Sequence, residues 1–556
     1  MKSRIKSLAI LSAAAFSMVS CNDFLDMTPT DMTSDKMLWS SVENAEYAVN
    51  YLYKNFSTYA NENRGQCLAG MTEALTDELK YGSYNYNSLC MIPSEIAYGG
   101  TTLLAPYVNT YLGNWSSSYV QIRRTNENLY NLHKYGTMDA ANATRLEAEM
   151  RLIRGYLYFE LVKRYKEVII YDEDITQITN NKALSTEAQG WDFIEADLNY
   201  AANNLPVKAG AAGRLDKGVA YALLTRAMLY AERWDKVITA ADKVKELGYT
   251  LEANYLDATQ KNITDGNKEA IWQYAHNLNL GHNLDFYYTP GGDFRLIDQK
   301  NGGYGTPTQE MVEAYESKTG EVVDWSAWHT AEGTTQRPPY EDLEPRFQAT
   351  VLYNGATWKG RQIESYVDGL DGWCQWNKDK SPEGRTTTSY YLRKLVDENH
   401  DLATTSVSVL PFTVIRYGEV LLNKAEACYR TNNAEGANAA IREIRGRVDL
   451  PYTDLSGDNL WKAIKQERRV ELAFEGHRYW DLRRWKLSAE TYAAGGLNGY
   501  QVHGLKIEKQ PNGDFLYSYV SVDDKDRNFP EKMYRFPLPE SELDGNATIS
   551  QYPEWK

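Results

Sequence analysis

"GRLDKGVAYALLTRAMLYAERWDKVITAAD", residues 213–242, reads as two helices joined by a tight turn. Ala220, Leu223, Leu224, Met228 and Ala231 recur at the i, i+3, i+4 spacing that lines one helix face. Val237, Ala240, Ala241 and Val244 do the same on a second helix. Small residues where the two cross, with larger ones around them, let the backbones approach closely. The pattern returns further along the chain. Tyr417, Val420, Leu421, Ala425 and Cys428 match the first helix, and Ala437, Ala440, Ile441 and Ile444 match the second, with a connector three residues longer in the later copy. A unit that recurs in this way is a helix hairpin of the tetratricopeptide kind.

Two further pairs extend the pattern outward. Leu146, Met150, Ile153, Leu157 and Leu161 form a stripe whose partner is Trp191, Ile194, Leu198, Ala201 and Leu205, ending before Pro206. Val42, Ala45, Val49, Tyr53 and Phe56 form another, completed by Tyr119, Ile122 and Leu129. A lone pair cannot cover its own apolar face. The expected fold is therefore mainly α, with four tetratricopeptide-like helix pairs in one right-handed scaffold over about 40–60, 115–250 and 412–486. Loop-rich insertions are expected over about 61–114 and 281–410, where Gly, Pro, Asn and Thr are dense and no helical period persists beyond Met311–Tyr315. Loops of that length in a compact domain usually bind something, and both are expected on one side of the helices. The mature chain, 21–556, reads as one domain.

The N-terminus has its own logic. Lys2, Arg4 and Lys6 precede an apolar run from Leu8 to about Val19, too short for the roughly 20 residues that span a bilayer. Residues 1–20 read as a signal peptide that is removed. Cys21 then becomes the first mature residue, resembling a bacterial lipobox cysteine that carries a lipid thioether. Several acyl chains, at about 0.8 kcal/mol per buried CH₂, would hold the protein at a membrane. Cys67, Cys90, Cys374 and Cys428 are too few and too scattered for a disulfide framework. A Cys67–Cys90 bond within one loop region and buried free thiols are the two readings. The formal charge of −15 on 556 residues argues against nucleic acid and makes polyanionic ligands less attractive, although a local basic patch can override the total.

No H-E-x-x-H, G-x-S-x-G, P-loop or dinucleotide fingerprint is present, and the seven His are widely spread. No cofactor, metal or catalytic residue is expected. The densest charged stretch, "QERRVELAFEGHRYWDLRRW" (466–485), places Glu467, Glu471, Glu475 and Arg478 on one stripe. Carboxylates at i and i+4 lie roughly 6 Å apart and point the same way, whereas a glycosidase needs them opposed across a sugar. The expected role is a structural ion network, with Arg468 and Arg469 pairing to the neighbouring acids and His477 a hydrogen-bonded member.

The 14 Trp and 42 Tyr point elsewhere, since many fall in the insertions, including Tyr81, Tyr98, Tyr304 and Trp358. A flat ring stacks on the C–H face of a sugar while nearby polar groups such as Asp324 and Arg361 bond its hydroxyls. The candidates for ligand contact are Tyr84, Asn85, Tyr86 and Asn87 in the first insertion and Tyr287, Tyr288, Trp325, Trp328, Trp373 and Trp376 in the second. For each ring taken alone, the bland reading is a local core that holds the loop together.

Six stretches in this order resemble the SusD/RagB family of Bacteroidetes outer-membrane lipoproteins: "CNDFLD" (21–26), "RLIRGYLYFELVKRYKEV" (151–168), residues 213–242 quoted above, "IRYGEVLLNKAEACYRTNNAEGANAAIREIRGRVDLP" (415–451), "IKQERRVELAFEGHRYWDLRRW" (464–485) and "YRFPLPESEL" (534–543). "KEVII" replaces the commoner glycine-containing form after the second stripe. The resemblance implies a lipid-anchored protein facing outward at the outer membrane. It would bind an oligosaccharide or polysaccharide and deliver it, uncut, to a partner SusC-like TonB-dependent transporter. Binding of oligopeptides or another nutrient in the RagB manner is the alternative, and a surface glycoside hydrolase a more distant one. The shared motifs lie in the scaffold, so the resemblance assigns no ligand contact.

Overall fold

The structure is a computed structural model that describes residues 35–56, 72–81, 88–100, 103–177, 179, 181–376 and 384–556, without the side chains of 88–91 and 177. The signal peptide, Cys21, Cys67 and the candidates Tyr84, Asn85, Tyr86 and Asn87 lie outside these residues, as does any Cys67–Cys90 bond.

The chain is mainly helical, with short two-stranded sheets. The principal helices are α1 (Val42–Leu52), α2 (Trp115–Tyr135), α3 (Ala140–Tyr165), α4 (Glu187–Asn204), α5 (Lys217–Tyr230), α6 (Trp234–Glu246), α7 (Tyr417–Arg430), α8 (Ala434–Gly446), α9 (Gly457–Glu471) and α10 (Arg478–Arg484). Among the described residues no helix is long and apolar enough to cross a membrane. Helices α3 and α4, α5 and α6, and α7 and α8 pack as hairpins, α1 packs on both α2 and α3, and α5 and α6 both meet α7.

Local chemistry sets these boundaries. Asp216 caps α5 by accepting from the Val219 amide at 3.1 Å, and Thr186 with Gln189 forms a reciprocal capping box at the start of α4. Gly155 in α3 is a crossing point, since a Cβ there would meet the Leu198 side chain of α4 at 3.1 Å. Next to it Arg154, 1% exposed, forks onto Asp197 at 2.7 and 2.8 Å. The geometry of this crossing thus rests on one missing side chain and one buried ion pair.

One sequence expectation needs correction. The connectors of the two repeat hairpins are the same length: Ala231–Arg233 joins α5 to α6, and Thr431–Asn433 joins α7 to α8. Both turn on a non-glycine residue with positive φ, Glu232 at 56° and Asn432 at 59°. The apparent longer connector came from sliding the first helices by about one turn, because apolar rows at i, i+3 and i+4 look alike when shifted by three residues.

Two buried clusters divide the molecule. One runs through the hairpins and includes Leu146, Ile153, Leu198, Leu223, Met228, Leu421 and Ile441. The other gathers the insertions around Tyr288, Tyr315, Trp325, Tyr340, Trp358 and Tyr390 and reaches α9 through Val470. Strand β1 (Leu79–Tyr81) from the first insertion pairs antiparallel with β3 (Gly305–Pro307) from the second, Leu79 opposite Pro307. Strand β2 (Ala270–Tyr274) pairs with β4 (Phe412–Arg416), which leads directly into α7. A hairpin of β5 (His503–Lys509) and β6 (Phe515–Ser521) packs on the second cluster through Leu505, Ile507 and Tyr517.

Candidate ligand-binding face

The loop-rich half is held from below by close backbone approach and forked ion pairs. A Cβ on Gly291 would sit 1.5 Å from the Gly384 carbonyl oxygen, so only glycine fits there. Arg361 bridges Asp293, at 2.7 Å, and Asp371, at 2.7 and 2.8 Å. Asp371 also accepts the amides of Gly292 at 3.0 Å and Glu364 at 2.8 Å. Arg361 is thereby engaged in fastening the loop, which removes it as a donor to a sugar. Asp324 accepts the Ser326 amide at 3.0 Å, a turn contact.

This frame sorts the candidate rings into two groups. Trp325, Trp328 and Trp376 are each 4% exposed, and Tyr288 is fully buried. Trp325 tilts against Trp328 at 5.4 Å, and the Trp328 indole donates to the Gln336 carbonyl at 2.8 Å. Trp376 lies under the Lys80 ammonium at 3.9 Å, and Tyr288 shares a hydroxyl hydrogen bond with Tyr81. These four side chains sit inside the loop core and offer no open face for stacking. The physical reason is that loops without helical stripes still need an interior, and large rings supply it. Tyr81, Tyr98, Tyr304 and Trp358 are buried in the same way.

Trp373 and Tyr287 are different, being only partly buried. The Trp373 indole donates to the Thr387 carbonyl at 2.9 Å, which fixes its plane, and the Lys506 ammonium of β5, paired with Glu508 at 2.8 Å, stands 5.6 Å from its ring. Two more partly exposed rings flank the same hairpin: Tyr366 and Phe515, whose centroids are 5.2 Å apart, with Lys509 at 5.7 Å from Tyr366. Tyr287 is tilted against Tyr304 at 4.7 Å and edge-on to Phe286 at 5.4 Å. These four rings, Trp373, Tyr366, Phe515 and Tyr287, are only partly buried and each is held by a hydrogen bond or a neighbouring ring, and preorganised rings of this kind form a platform suited to a polyhydroxylated ligand. The sequence reading missed Tyr366, Phe515 and Lys506. The signal was available in "HGLKIEKQPNGDFLYSYVS", where alternating residues on either side of Asn512-Gly513 mark a β-hairpin.

The charged stretch on α9 and α10 makes dense ion pairs, but with partners other than those expected. Glu471, fully buried, accepts from Arg346 at 3.1 Å, Arg416 at 2.7 Å and Arg447. Glu467 pairs with Arg346 and, at 3.3 Å, with Arg445. Glu475 accepts from Arg416 at 2.6 Å and from Lys394 at 2.7 Å. Burial raises the Glu475 carboxyl, but Arg416 and Lys394 outweigh it and bring the pKa to about 2. Arg468 turns instead to Asp481 at 2.9 Å, while Arg469 and Arg478 reach Asp77 at 2.9 and 3.1 Å. The local pairing of Arg468 and Arg469 with the α9 acids is therefore replaced by tertiary pairs. Buried acids on one stripe are better satisfied by guanidinium groups arriving from outside the helix than by neighbours on its surface. His477, with Glu419 at 3.7 Å, is kept neutral: burial lowers its pKa to about 4 against the pull of Glu419.

A helical-repeat frame carrying a loop-built, ring-bearing face is the architecture of a known family. A sequence model of the SusD family matches residues 268–555, and one described as starch-binding associating with outer membrane matches residues 23–229. The chain belongs to the SusD family. It is 24% identical to a SusD-like protein of Bacteroides ovatus over 86% of this chain and 82% of that one. The crystal structure of a SusD-like protein from Bacteroides fragilis aligns with a TM-score of 0.78 at 26% identity, covering 95% of this chain and all of that one. A SusD-like carbohydrate binding protein from the same organism aligns with a TM-score of 0.73 at 24% identity, covering 92% of this chain and all of that one, a likeness of fold.

Proposed function

We propose that this protein is a surface lipoprotein, anchored through Cys21 at the outer membrane, that binds an oligosaccharide or polysaccharide on the Trp373–Tyr366–Phe515 face. It passes the ligand uncut to a SusC-like TonB-dependent transporter. The observation that carries the reading is the strip of partly exposed rings along the β5–β6 hairpin, with Lys506 and Lys509 beside it. Family membership and the carbohydrate-binding relative of the same fold support the ligand class. The burial of Glu467 and Glu471 among arginines supports binding without hydrolysis, because carboxylates engaged in this way have no room to act as acid and base on a sugar. A shallow ring platform gives modest affinity and fast release, which suits hand-off.

Calorimetric titration of the mature protein against plant, fungal and host glycans tests the reading. Binding of at least one glycan, weakened by Trp373→Ala, is expected, with no release of reducing ends. Silence toward every glycan together with binding of oligopeptides would overturn it.

A further inference from the structure

A cleft of about 510 Å³ opens between α9, α10 and the segments around Glu310–Val322 and Leu487–Gly495, within the roughly 300–1,000 Å³ range of small-ligand sites. It is lined by residues that the platform described above does not use. Its two walls carry opposite charge, and they differ in how that charge is satisfied. On the acidic wall every carboxylate has partners from the protein. Glu310 accepts from the Tyr500 hydroxyl at 2.9 Å and from His503, Glu313 pairs with His329 at 2.7 Å, and Glu316 pairs with Arg445 at 2.7 Å. On the basic wall Arg469 and Arg478 are committed to Asp77.

Lys462 and Lys465 have no anionic partner among the described residues: neither makes an ion pair or a hydrogen bond to a carboxylate there. Lys465 is partly buried with its ammonium 5.6 Å from the Trp461 ring, and the charges that act on it most are those of Arg478, Lys462 and Arg430, all cations. Burial, with those like charges behind it, lowers its pKa. An ammonium held in a cleft against its own kind is stabilised by an anion that enters from solvent. A flat wall stands in the same cleft: Tyr492 is backed by Tyr500 in a parallel stack at 3.7 Å and 6°. A ring held in that way is suited to a sugar ring whose substituent reaches the lysines.

We propose that this cleft is a second saccharide site, selective for a sugar carrying a carboxylate or sulfate, with Lys462 and Lys465 binding the anionic group and Tyr492 the ring. The choice of a saccharide rests on the function proposed above, whereas the demand for an anion rests on the cleft alone. The overall charge of −15 makes such a site local, so binding depends on these lysines rather than on long-range attraction.

The test titrates the mature protein with oligogalacturonides, a hyaluronan oligosaccharide and a chondroitin sulfate disaccharide, each beside its methyl-esterified or desulfated counterpart. At least one acidic probe is expected to bind wild type about tenfold more tightly than its uncharged counterpart. That preference should vanish in the Lys462→Met, Lys465→Met double variant and shrink with added salt. The carboxylate and sulfate probes separate the two sources of charge. Equal affinity for charged and uncharged forms in wild type overturns the proposal without any variant, and so does a preference that survives in the double variant. Neutral glycans distinguish this result from failure of the first site: their binding should ignore the lysine changes and respond to Trp373→Ala. Lysine-dependent acidic binding without any neutral binding would sink the platform and leave the cleft standing.

Discussion

In the α5–α6 hairpin most buried positions, Ala220, Leu223, Leu224, Met228, Val237 and Val244 among them, carry side chains that fill space and ask for no partner, and the buried Thr225 bonds the Ala222 carbonyl of its own helix at 2.7 Å. In the loop-rich half the corresponding positions are Tyr288, Tyr340, Tyr390, Tyr391 and Trp358, each with a polar atom that must be satisfied. Tyr340 and Tyr390 share a hydrogen bond at 3.0 Å, Tyr390 donates to Gln309 at 2.6 Å, and Tyr391 donates to the Asp371 carbonyl at 2.7 Å. Helices satisfy their own backbone, so their interior can be dry and aliphatic. Loops leave carbonyls and amides unpaired, and an interior of tyrosines fills space while bonding them. An abundance of rings in an insertion therefore signals a core first, and a ligand face only where a ring is left partly open.

Removing the hub that joins the two halves should have the largest effect. Glu471→Ala removes the one carboxylate that Arg346, Arg416 and Arg447 share, leaving three buried guanidinium groups to their remaining partners Glu344, Glu467, Glu269 and Glu475, and a loss of about 3–5 kcal/mol is expected by denaturant unfolding. A loss below about 1 kcal/mol would show that the halves do not depend on this group.

Close behind comes a direct contrast between two tryptophans of the same insertion. Trp325→Ala should cost about 3–5 kcal/mol of stability, as for a large buried side chain. Glycan affinity of the protein that remains folded should be unchanged.

A pH effect separates His477 from its surroundings, which include Glu419, Asp481, Arg226 and Arg468. The folded imidazole titrates at about 4, below its unfolded value of roughly 6.5, so the unfolded chain binds the extra proton between the two. Its contribution is present above about pH 6.5 and is lost as pH falls toward 4, by up to about 3 kcal/mol. Unfolding curves of His477→Gln should lack that part of the acid slope, and an unchanged slope would assign it to other groups.

The scaffold was legible in the sequence because a helix writes its buried face at a fixed spacing, as at Leu223 and Met228. Register was less so: the repeat hairpins align through Glu232 and Asn432, turn residues that apolar spacing does not mark. The ion partners of Glu467 and Glu471 were illegible because Arg346, Arg416 and Arg447 arrive from other segments, and only the tertiary fold brings them together. Trp373 and Trp376 are three residues apart in one loop, and nothing local to them tells which is buried. The platform's other members could have been found, since the β5–β6 hairpin is signalled by alternation around Asn512-Gly513.

The smallest free energy bears on the central claim. Trp373→Ala should cost about 1–2 kcal/mol of stability, less than Trp325→Ala, since the ring is half-buried and gives up one hydrogen bond to the Thr387 carbonyl. Removal of the ring should weaken the best-bound glycan by about 2–10-fold, the worth of one ring stack. Calorimetric titration of wild type, Trp373→Ala and Trp325→Ala with that glycan is the most direct measurement. The account predicts that only the first variant loses affinity; intact binding in Trp373→Ala, with loss in a folded Trp325→Ala, would contradict it.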